Sequence, residues 1–499
     1  MKKKITSALV SVFNKDGLEE IIGLLQKHNI AIISTGGTAE FIRKLGVSVV
    51  EVETITNFPS VFGGRVKTLT PQIFGGILNR RDNESDQKEK EKYNIQDIDL
   101  VIVDLYPFEE TLKSFQDGKA SDEEVIEKID IGGISLIRAA AKNFNDVVIV
   151  PSKNQYAKLA EILKNGDETT IEERKVFASD AFIVTSHYDI AISGYFNSKS
   201  LRYGENPHQK AEFIGNLEES FDQLHGKELS YNNLLDTEAA ILLVNDFKIP
   251  TFAIIKHMNV CGLATSEEGH LLEAYKKAYE ADPISAFGGI LATNRIINKD
   301  IAGLIREQKL FIEVVIAPDF EKEALDILME KKDCRILKWK NSVLSAKQMR
   351  NCFTGMLIQD RDTHIESEED FKVVSKRVPT KEEKADLVMA SIAVKHLKSN
   401  SVALIKDGRL ISMGCGQTSR VDALNQAIEK ANKFGFSLKG SVLASEAFFP
   451  FPDCVEIAGK TGVSAVIHPG GSKNDQASIN MADQYNMAMV MTGFRHFKH

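Results

Sequence analysis

The chain has 499 residues, 43% of them hydrophobic and 26% charged, with a net charge of -8 at pH 7. That length exceeds one ordinary hydrophobic core, so two or three domains are expected, and the balance is that of a globular chain rather than a disordered or membrane-embedded one. The acidic sum excludes an extended nucleic-acid surface but leaves room for a basic pocket around a phosphorylated small molecule.

Cys261, Cys334, Cys352, Cys415 and Cys454 are odd in number, widely spaced and without a CxxC pair. Free thiols in a reducing compartment are the expectation, and no zinc arrangement is present. The basic start MKKKITSALVSVF runs into a helical pattern without a small-residue cleavage site, so export is not expected. No apolar run is long enough to span a bilayer, and a cytoplasmic protein without membrane partners is expected.

In chain order, residues 5–13 read as a buried strand, followed by Leu18, Ile21, Ile22 and Leu25 on one helical face. Residues 30–33 read as strand again and stop at STGGT, before a helix carrying Phe41, Ile42 and Leu45. The charge run RRDNESDQKEKEKY at 80–93 has no apolar periodicity and reads as a solvated loop. A further strand, DLVIVDLYPF, ends in Tyr106 and Pro107. Helices are expected over 132–144 and over a longer stretch in which Phe177, Ala181, Val184, Tyr188 and Tyr195 share a face. Strands alternating with helices at this spacing imply a mostly parallel sheet covered on both faces, in a first domain of residues 1–197.

The second domain, 198–499, is again α/β. FAIIKHMNVCG and VALIKDGRLISMGCG share an aliphatic strand, a lysine and a Cys-Gly in the same order, which suggests two related subdomains. The charged THIESEEDF near residue 367 is the expected divider.

Two regions carry chemistry in the first domain. At a strand's carboxyl end, Ser34, Thr35, Gly36, Gly37 and Thr38 offer backbone amides and hydroxyls to an anion beside a helix N-terminus, although a capped glycine turn has the same pattern. The loop FPSVFGGRVKTLTP adds Arg65, Lys67 and Thr68, a bidentate fork and a mobile charge at the edge where open α/β sheets bind ligands. In the second domain, Lys256 and His257 close an apolar strand and form a candidate acid–base pair; the competing reading is a strand end that simply reaches water.

These stretches, with DLYPF and IDIGGISLIRAAAKN, resemble the bifunctional purine-biosynthesis enzymes that combine 5-aminoimidazole-4-carboxamide ribonucleotide formyltransferase with IMP cyclohydrolase. The resemblance covers nearly the whole length. It implies an N-terminal methylglyoxal-synthase-like domain that cyclises the formamido ribonucleotide to IMP with loss of water, and a C-terminal duplicated cytidine-deaminase-like α/β/α domain that transfers the formyl group. For cyclisation the matching positions are Lys67, Thr68, Tyr106, Asp130 and Lys142, with Ser11, Lys15, Arg65 and residues 34–38 on the phosphate side. Phe13 stands where the family commonly carries serine.

For formyl transfer the resemblance implies 10-formyltetrahydrofolate as co-substrate and no metal. The motif KHxNPCG is matched except for Val260 in place of proline, with His257 as base toward the attacking amine and Lys256 assisting the leaving folate nitrogen. Arg202 and Tyr203 match nucleotide phosphate contacts; Asn233, Phe287, Gly288, Asn400 and Ser419 surround the pair. Phe448 and Asp453 of EAFFPFPD match the place of a flat pterin, and Arg495, Phe497 and His499 match a tail that enters the transferase pocket. A homodimer is implied as well. The alternatives are that one half is silent, marked by Phe13 or Val260, or that the first domain is a nucleotide sensor. Keeping Lys67, Tyr106, Asp130 and Lys142 together speaks for catalysis, since sensing needs charge but no proton-transfer set.

Overall fold

The computed structural model describes residues 2–342, 344–353 and 355–499. Contacts divide the chain into two compact units, Met1–Ser198 and Lys199–His499.

The first unit is built on five parallel strands: β1 (Ser7–Ser11), β2 (Ala31–Ser34), β3 (Val50–Glu51), β4 (Leu100–Val103) and β5 (Val148–Val150), in the order β3-β2-β1-β4-β5. Ala8, Leu9 and Val10 are all fully buried, so both faces of the central strand are covered, and this explains a continuous apolar run rather than an alternating one. Helix α1 (Leu18–Lys27) buries the four residues picked out by spacing. Helix α2 (Gly36–Lys44) starts directly at the carboxyl end of β2. Helix α4 (Gly132–Lys142) returns along the sheet between β4 and β5, and α5 (Ile171–Asn197) packs on it.

One expectation fails here. Residues 80–93 do not form a loop but contain α3 (Glu84–Lys92), which has no buried residue. Its stability is local: Asn83 Oδ1 accepts from the Ser85 and Asp86 amides, acidic residues fill the first turn and lysines the last. Such caps and dipole pairings each contribute about 0.3–1 kcal/mol without any apolar stripe, so periodicity gives no sign of this helix.

The second unit holds, among the described residues, a twelve-stranded sheet. Its chain order is β6 (Phe221–His225), α6 (Tyr231–Asn245), β7 (Thr251–Lys256), β8 (Asn259–Thr265), α7 (Leu271–Ala281), β9 (Gly289–Thr293), α8 (Lys299–Glu307), β10 (Ile312–Ala317), α9 (Lys322–Met329) and β11 (Arg335–Trp339). A separate hairpin of β12 (Lys347–Cys352) and β13 (Gly355–Asp360) follows, then the edge strand β14 (Lys372–Val373). The same succession then repeats as α10 (Lys381–Lys395), β15 (Val402–Lys406), β16 (Arg409–Gly414), α11 (Arg420–Lys433), β17 (Val442–Ser445), α12 (Asp453–Thr461), β18 (Ala465–His468), α13 (Asp475–Gln484) and β19 (Ala488–Met491).

The duplication extends to register. In each half a two-residue hairpin is followed by a strand antiparallel to its first arm and then by two parallel strands. The hairpins share an irregularity at the same step, Ile254/Ile255 and Leu404/Ile405. The halves join where β8 meets β16 antiparallel at Ala264 and Arg409. The lysines of the two related motifs coincide, Lys256 with Lys406, each ending its strand. The Cys-Gly pairs do not: Cys261-Gly262 lies in β8, whereas Cys415-Gly416 lies beyond the end of β16. No helix among the described residues is long and apolar enough to cross a membrane.

Candidate active sites

Because the five strands of the first unit are parallel, their carboxyl ends gather along one edge. That edge holds Ser11, Lys15, the 34–38 turn, Asp104 and Tyr106. Thr35 is the N-cap of α2 and Gly36 has φ 53°. Lys67 reaches this turn from its own loop: a Cβ on Gly36 would lie 3.2 Å from Lys67 Nζ, and one on Gly64 would lie 2.5 Å from its Cε. Both glycines therefore clear the path of the lysine. The hydroxyls of the turn are engaged with protein, Ser34 Oγ donating to Val10 O (2.7 Å), Thr35 Oγ1 to Glu53 (2.9 Å) and Thr38 Oγ1 to Val12 O (2.9 Å). What the turn offers an anion is the amide end of α2 together with Lys67.

Arg65, expected at the phosphate, is paired instead with Glu127, both side chains being exposed. Thr68 is buried, and a Cβ on Gly132 would come within 3.5 Å of its Oγ1, which brings the loop to the start of α4. Asp130 sits just before that helix, buried, with Oδ1 accepting from Gly133 N (2.6 Å) and its own amide donating to Tyr188 Oη (2.8 Å). Burial raises its carboxyl above the usual range despite the Gly133 bond. Tyr106 is raised too, first by burial and then by Asp130.

Phe13 turns out to be part of the cluster. Its ring stands edge-on to Tyr106 at 5.7 Å, with Lys128 Nζ 5.7 and 5.8 Å from the two ring centres. Asp104 fixes the turn by accepting from the amides of Phe13 and Asn14, and Lys15 Nζ folds back onto Val12 O and Phe13 O. Burial lowers Lys15, opposed by Asp104. Lys142 is not brought in. It is the last residue of α4, exposed, about 15 Å along the axis from Gly132, and a helix between parallel strands carries it to the opposite edge of the sheet.

In the second unit, Lys256 ends β7 and its Nζ donates to Phe287 O (2.8 Å) and Gly288 O (3.1 Å). Gly288 has φ 69°, which favours glycine, and a Cβ there would lie 2.9 Å from that ammonium and displace it from its two carbonyls. The next two residues, His257 and Met258, form the hairpin turn with φ 51° and 61°. Two-residue turns with positive φ at both positions favour Asn-Gly or Asp-Gly. The second half obeys this with Asp407-Gly408 (φ 53° and 68°), and the first half does not. A histidine and a methionine in the left-handed region each cost about 1–2 kcal/mol relative to glycine. Strain of this kind points to function at the position.

The turn is held by Asp236 of α6, whose Oδ1 accepts from Met258 N (2.7 Å); Asp386 of α10 does the same for Asp407 and Gly408 at 2.9 and 2.8 Å. No motif marks Asp236. Its signal is the recurrence of an aspartate at the same place in both duplicated helices. Burial raises Asp236, against the amides and the charges of His257 and Lys256. Asn233 lies one turn earlier in α6, buried in a capping box with Ser230. Asn259 Nδ2 donates to His257 O (3.0 Å), and its Oδ1 accepts from Cys415 Sγ (3.3 Å), which joins the pair to the second half. Val260 is buried opposite Ile255 and leaves the hairpin intact.

Past Cys415, Asn400 Nδ2 holds Gln417 O (3.0 Å) and Thr418 O (3.2 Å), and Ser419 caps α11 through Asp422. Arg420 donates to Phe448 O (3.0 Å) and to buried Glu446 (2.7 Å). Asp453 opens α12, accepting from Cys454 N. The tail packs on this loop: Ser399 N donates to Lys498 O and His496 N to Glu446 O, both at 3.0 Å. Arg495 stacks on Phe497 (4.4 Å), which is 5.8 Å from His499. Arg202 lies over Tyr203 (5.5 Å), and neither bonds to Lys256 or His257.

The two units together describe an α/β enzyme that gathers the amide end of α2 and Lys67 at a sheet edge in one unit and carries a strained turn after Lys256 in the other. The AICARFT/IMPCHase bienzyme family matches residues 140–430, and the MGS-like domain matches residues 17–135. The bifunctional purine biosynthesis protein PurH of Bacteroides thetaiotaomicron is 54% identical over 511 residues, covering 100% of this chain and 99% of that protein. The PurH of Aquifex aeolicus is 45% identical, covering 99% and 100%. A crystal structure of ForH is 31% identical over 38% of this chain and 96% of that one, with a TM-score of 0.35. The chain belongs to the AICARFT/IMPCHase bienzyme family and is a bifunctional enzyme of purine biosynthesis.

Proposed function

We propose that the two activities divide between the two units. The second unit transfers a formyl group from 10-formyltetrahydrofolate to the amine of 5-aminoimidazole-4-carboxamide ribonucleotide, and the first closes the product to IMP. The observation that carries this reading is the His257–Met258 turn that follows Lys256, where left-handed geometry is retained without the residues that favour it.

In the transfer the substrate amine attacks the formyl carbon, forming a C–N bond, and the bond to the folate nitrogen breaks. His257 takes the amine proton and Lys256 supplies one to the leaving nitrogen, so protons balance without a further reagent. Asn400, Phe448, Asp453 and the tail residues Arg495, Phe497 and His499 hold the folate. Arg202, Tyr203, Asn233, Phe287, Gly288 and Ser419 hold the nucleotide.

In cyclisation the carboxamide nitrogen attacks the formyl carbon of the same molecule, and water leaves. Holding the two groups together supplies much of the rate. Lys67 neutralises the developing oxyanion, while Tyr106 and Asp130 move protons beside it. The amide end of α2 takes the phosphate.

The protein acts in the cytoplasm as a homodimer. The β12–β13 hairpin supports this: Met349, Leu357 and Ile358 are exposed, and an isolated two-stranded hairpin is marginal alone. Supplying purified protein with the amino ribonucleotide and formylated folate, and following the formamido intermediate and IMP, tests the division. Absence of either product overturns it. Light scattering of Leu357→Ser tests assembly; an unchanged dimer removes the hairpin from the interface.

A further inference from the structure

Resting on the assignment of formyl transfer to the second unit, we propose that His496 is a positioning residue for that reaction: clamped between Asp362 and Glu366, it fixes the register of the tail that presents Arg495, Phe497 and His499.

The geometry is that of a latch. His496 is 4% exposed, with Nδ1 2.6 Å from Asp362 Oδ2 and Nε2 2.9 Å from Glu366 Oε1. A ring bonded to a carboxylate at each nitrogen carries both protons, so one imidazolium separates two carboxylates. Glu366 is itself 3% exposed. Deleting the cation would leave the buried Glu366 carboxylate without its partner, beside the half-exposed carboxylate of Asp362.

The tail is extended around this point and its side chains alternate. His496 and Lys498 turn inward, while Arg495, Phe497 and His499 are exposed. Backbone bonds from His496 N to Glu446 O and from Ser399 N to Lys498 O set the tail between the Asn400 loop and the loop leading to Phe448. With a side-chain period of two, a slip of one residue would bury Arg495 or Phe497 and turn His496 out. Of residues 495–499, His496 is the one clamped between two carboxylates, the buried Glu366 and the half-exposed Asp362. It is adjacent to the residues assigned to the folate and on the opposite face, so it acts through them.

The charged and titratable groups around it are few. Asp362, Glu366 and His364 come from the segment joining the duplicated halves; His364 stacks on Phe494 at 3.6 Å and lies 6.4 Å from the His496 ring. Lys395 acts on Asp362 from α10, Lys498 shares the tail, and Glu446, paired with Arg420, lies at the backbone contact. Burial opposes the charge of His496, but the bonds to Asp362 and Glu366 outweigh it and push it up to about 9. The group is raised above its ordinary value near 6.5, so the latch is fully present below that value and is lost as pH rises through about 9.

The test uses the full-length protein and measures formyl transfer from 10-formyltetrahydrofolate between pH 6 and 10, with cyclisation of supplied formamido ribonucleotide as internal control. His496→Gln is expected to raise the KM for the formyl donor tenfold or more at pH 7.5 while cyclisation stays within twofold. Glu366→Gln, which keeps the histidine but removes one carboxylate, is expected to move the alkaline limb of transfer down by about one pH unit; a purely structural role would leave that limb in place. Arg495→Ala separates the two layers. If it abolishes transfer while His496→Gln and Glu366→Gln match the parent protein, the latch is wrong and the assignment of the tail stands. If Arg495→Ala leaves transfer intact, the tail assignment fails and the latch with it.

Discussion

Lys256 and Lys406 occupy one position of a duplicated fold, each laying its ammonium 2.8 Å from a carbonyl in the approach to the next strand of its half, Phe287 O for the first and Lys439 O for the second. The grip is the same, yet the surroundings differ. His257 follows the first lysine and Asp407 the second, and the exposed ring of Phe287 is replaced by Lys439. Only the first copy combines a titratable imidazole with a flat apolar neighbour. On the proposed division of activities, the second is the scaffold without the chemistry.

Lys256→Ala and His257→Ala are therefore expected to lower the rate of formyl transfer by about 10²–10⁴, the usual contribution of a positioned proton-transfer group. Lys406→Ala is expected to leave transfer within a few fold. Cyclisation should persist in all three. Steady-state rates for each step check this, and comparable losses in Lys256→Ala and Lys406→Ala would show that the duplicated lysines are equivalent in function as well as in place.

In the first unit the decisive comparison is between Lys67 and Lys142. Lys67 lies across Gly36 and Gly64 at the carboxyl edge of the sheet, whereas α4 delivers Lys142 to the other edge. Lys67→Ala is expected to stop cyclisation and let the formamido ribonucleotide accumulate; Lys142→Ala is expected to form IMP at near the parent rate. Following both species by chromatography decides it. A block in Lys142→Ala would mean that it is needed for cyclisation despite its distance.

Much of this layout was readable in the chain. The parallel sheet follows from apolar runs spaced by amphipathic helices, and the 34–38 turn from glycines after a strand. Two kinds of feature were not readable. Nearness in a motif is not nearness in space: IDIGGISLIRAAAKN links Asp130 to Lys142, but a helix carries them to opposite edges. Local capping escapes hydrophobic periodicity altogether, which is why α3 reads as loop. The duplication was visible only as a lysine after an aliphatic strand, because the shared framework resides in register and in Asp236 and Asp386, not in the Cys-Gly pairs, which recur in the sequence but not in the fold.

Those two aspartates give a further test. Each accepts backbone amides of a tight turn, and removing the acceptor leaves a partly buried N–H unpaired, at about 1–3 kcal/mol. Asp236→Ala and Asp386→Ala should thus lose similar stability in denaturant unfolding. Only Asp236→Ala should also lose formyl transfer, because only that turn carries His257. If the two variants lose transfer equally, turn geometry at 257–258 has no special part in the reaction.

The pH dependence of cyclisation tests Asp130. Burial raises its carboxyl above the ordinary value near 3.8, so the charged form is lost at a higher pH than for an exposed aspartate. If the carboxylate is the form that accepts a proton, cyclisation is full above the raised value and falls as pH drops through it, on the side where ordinary carboxylates remain ionised. Asp130→Asn should lower the rate throughout and abolish that acid limb, while the bond from Gly133 N, which an amide oxygen also accepts, preserves the start of α4. A profile for Asp130→Asn that keeps the parent's acid limb would place the titrating group elsewhere, with Asp104 at the Phe13 turn the next to examine, since burial raises it as well.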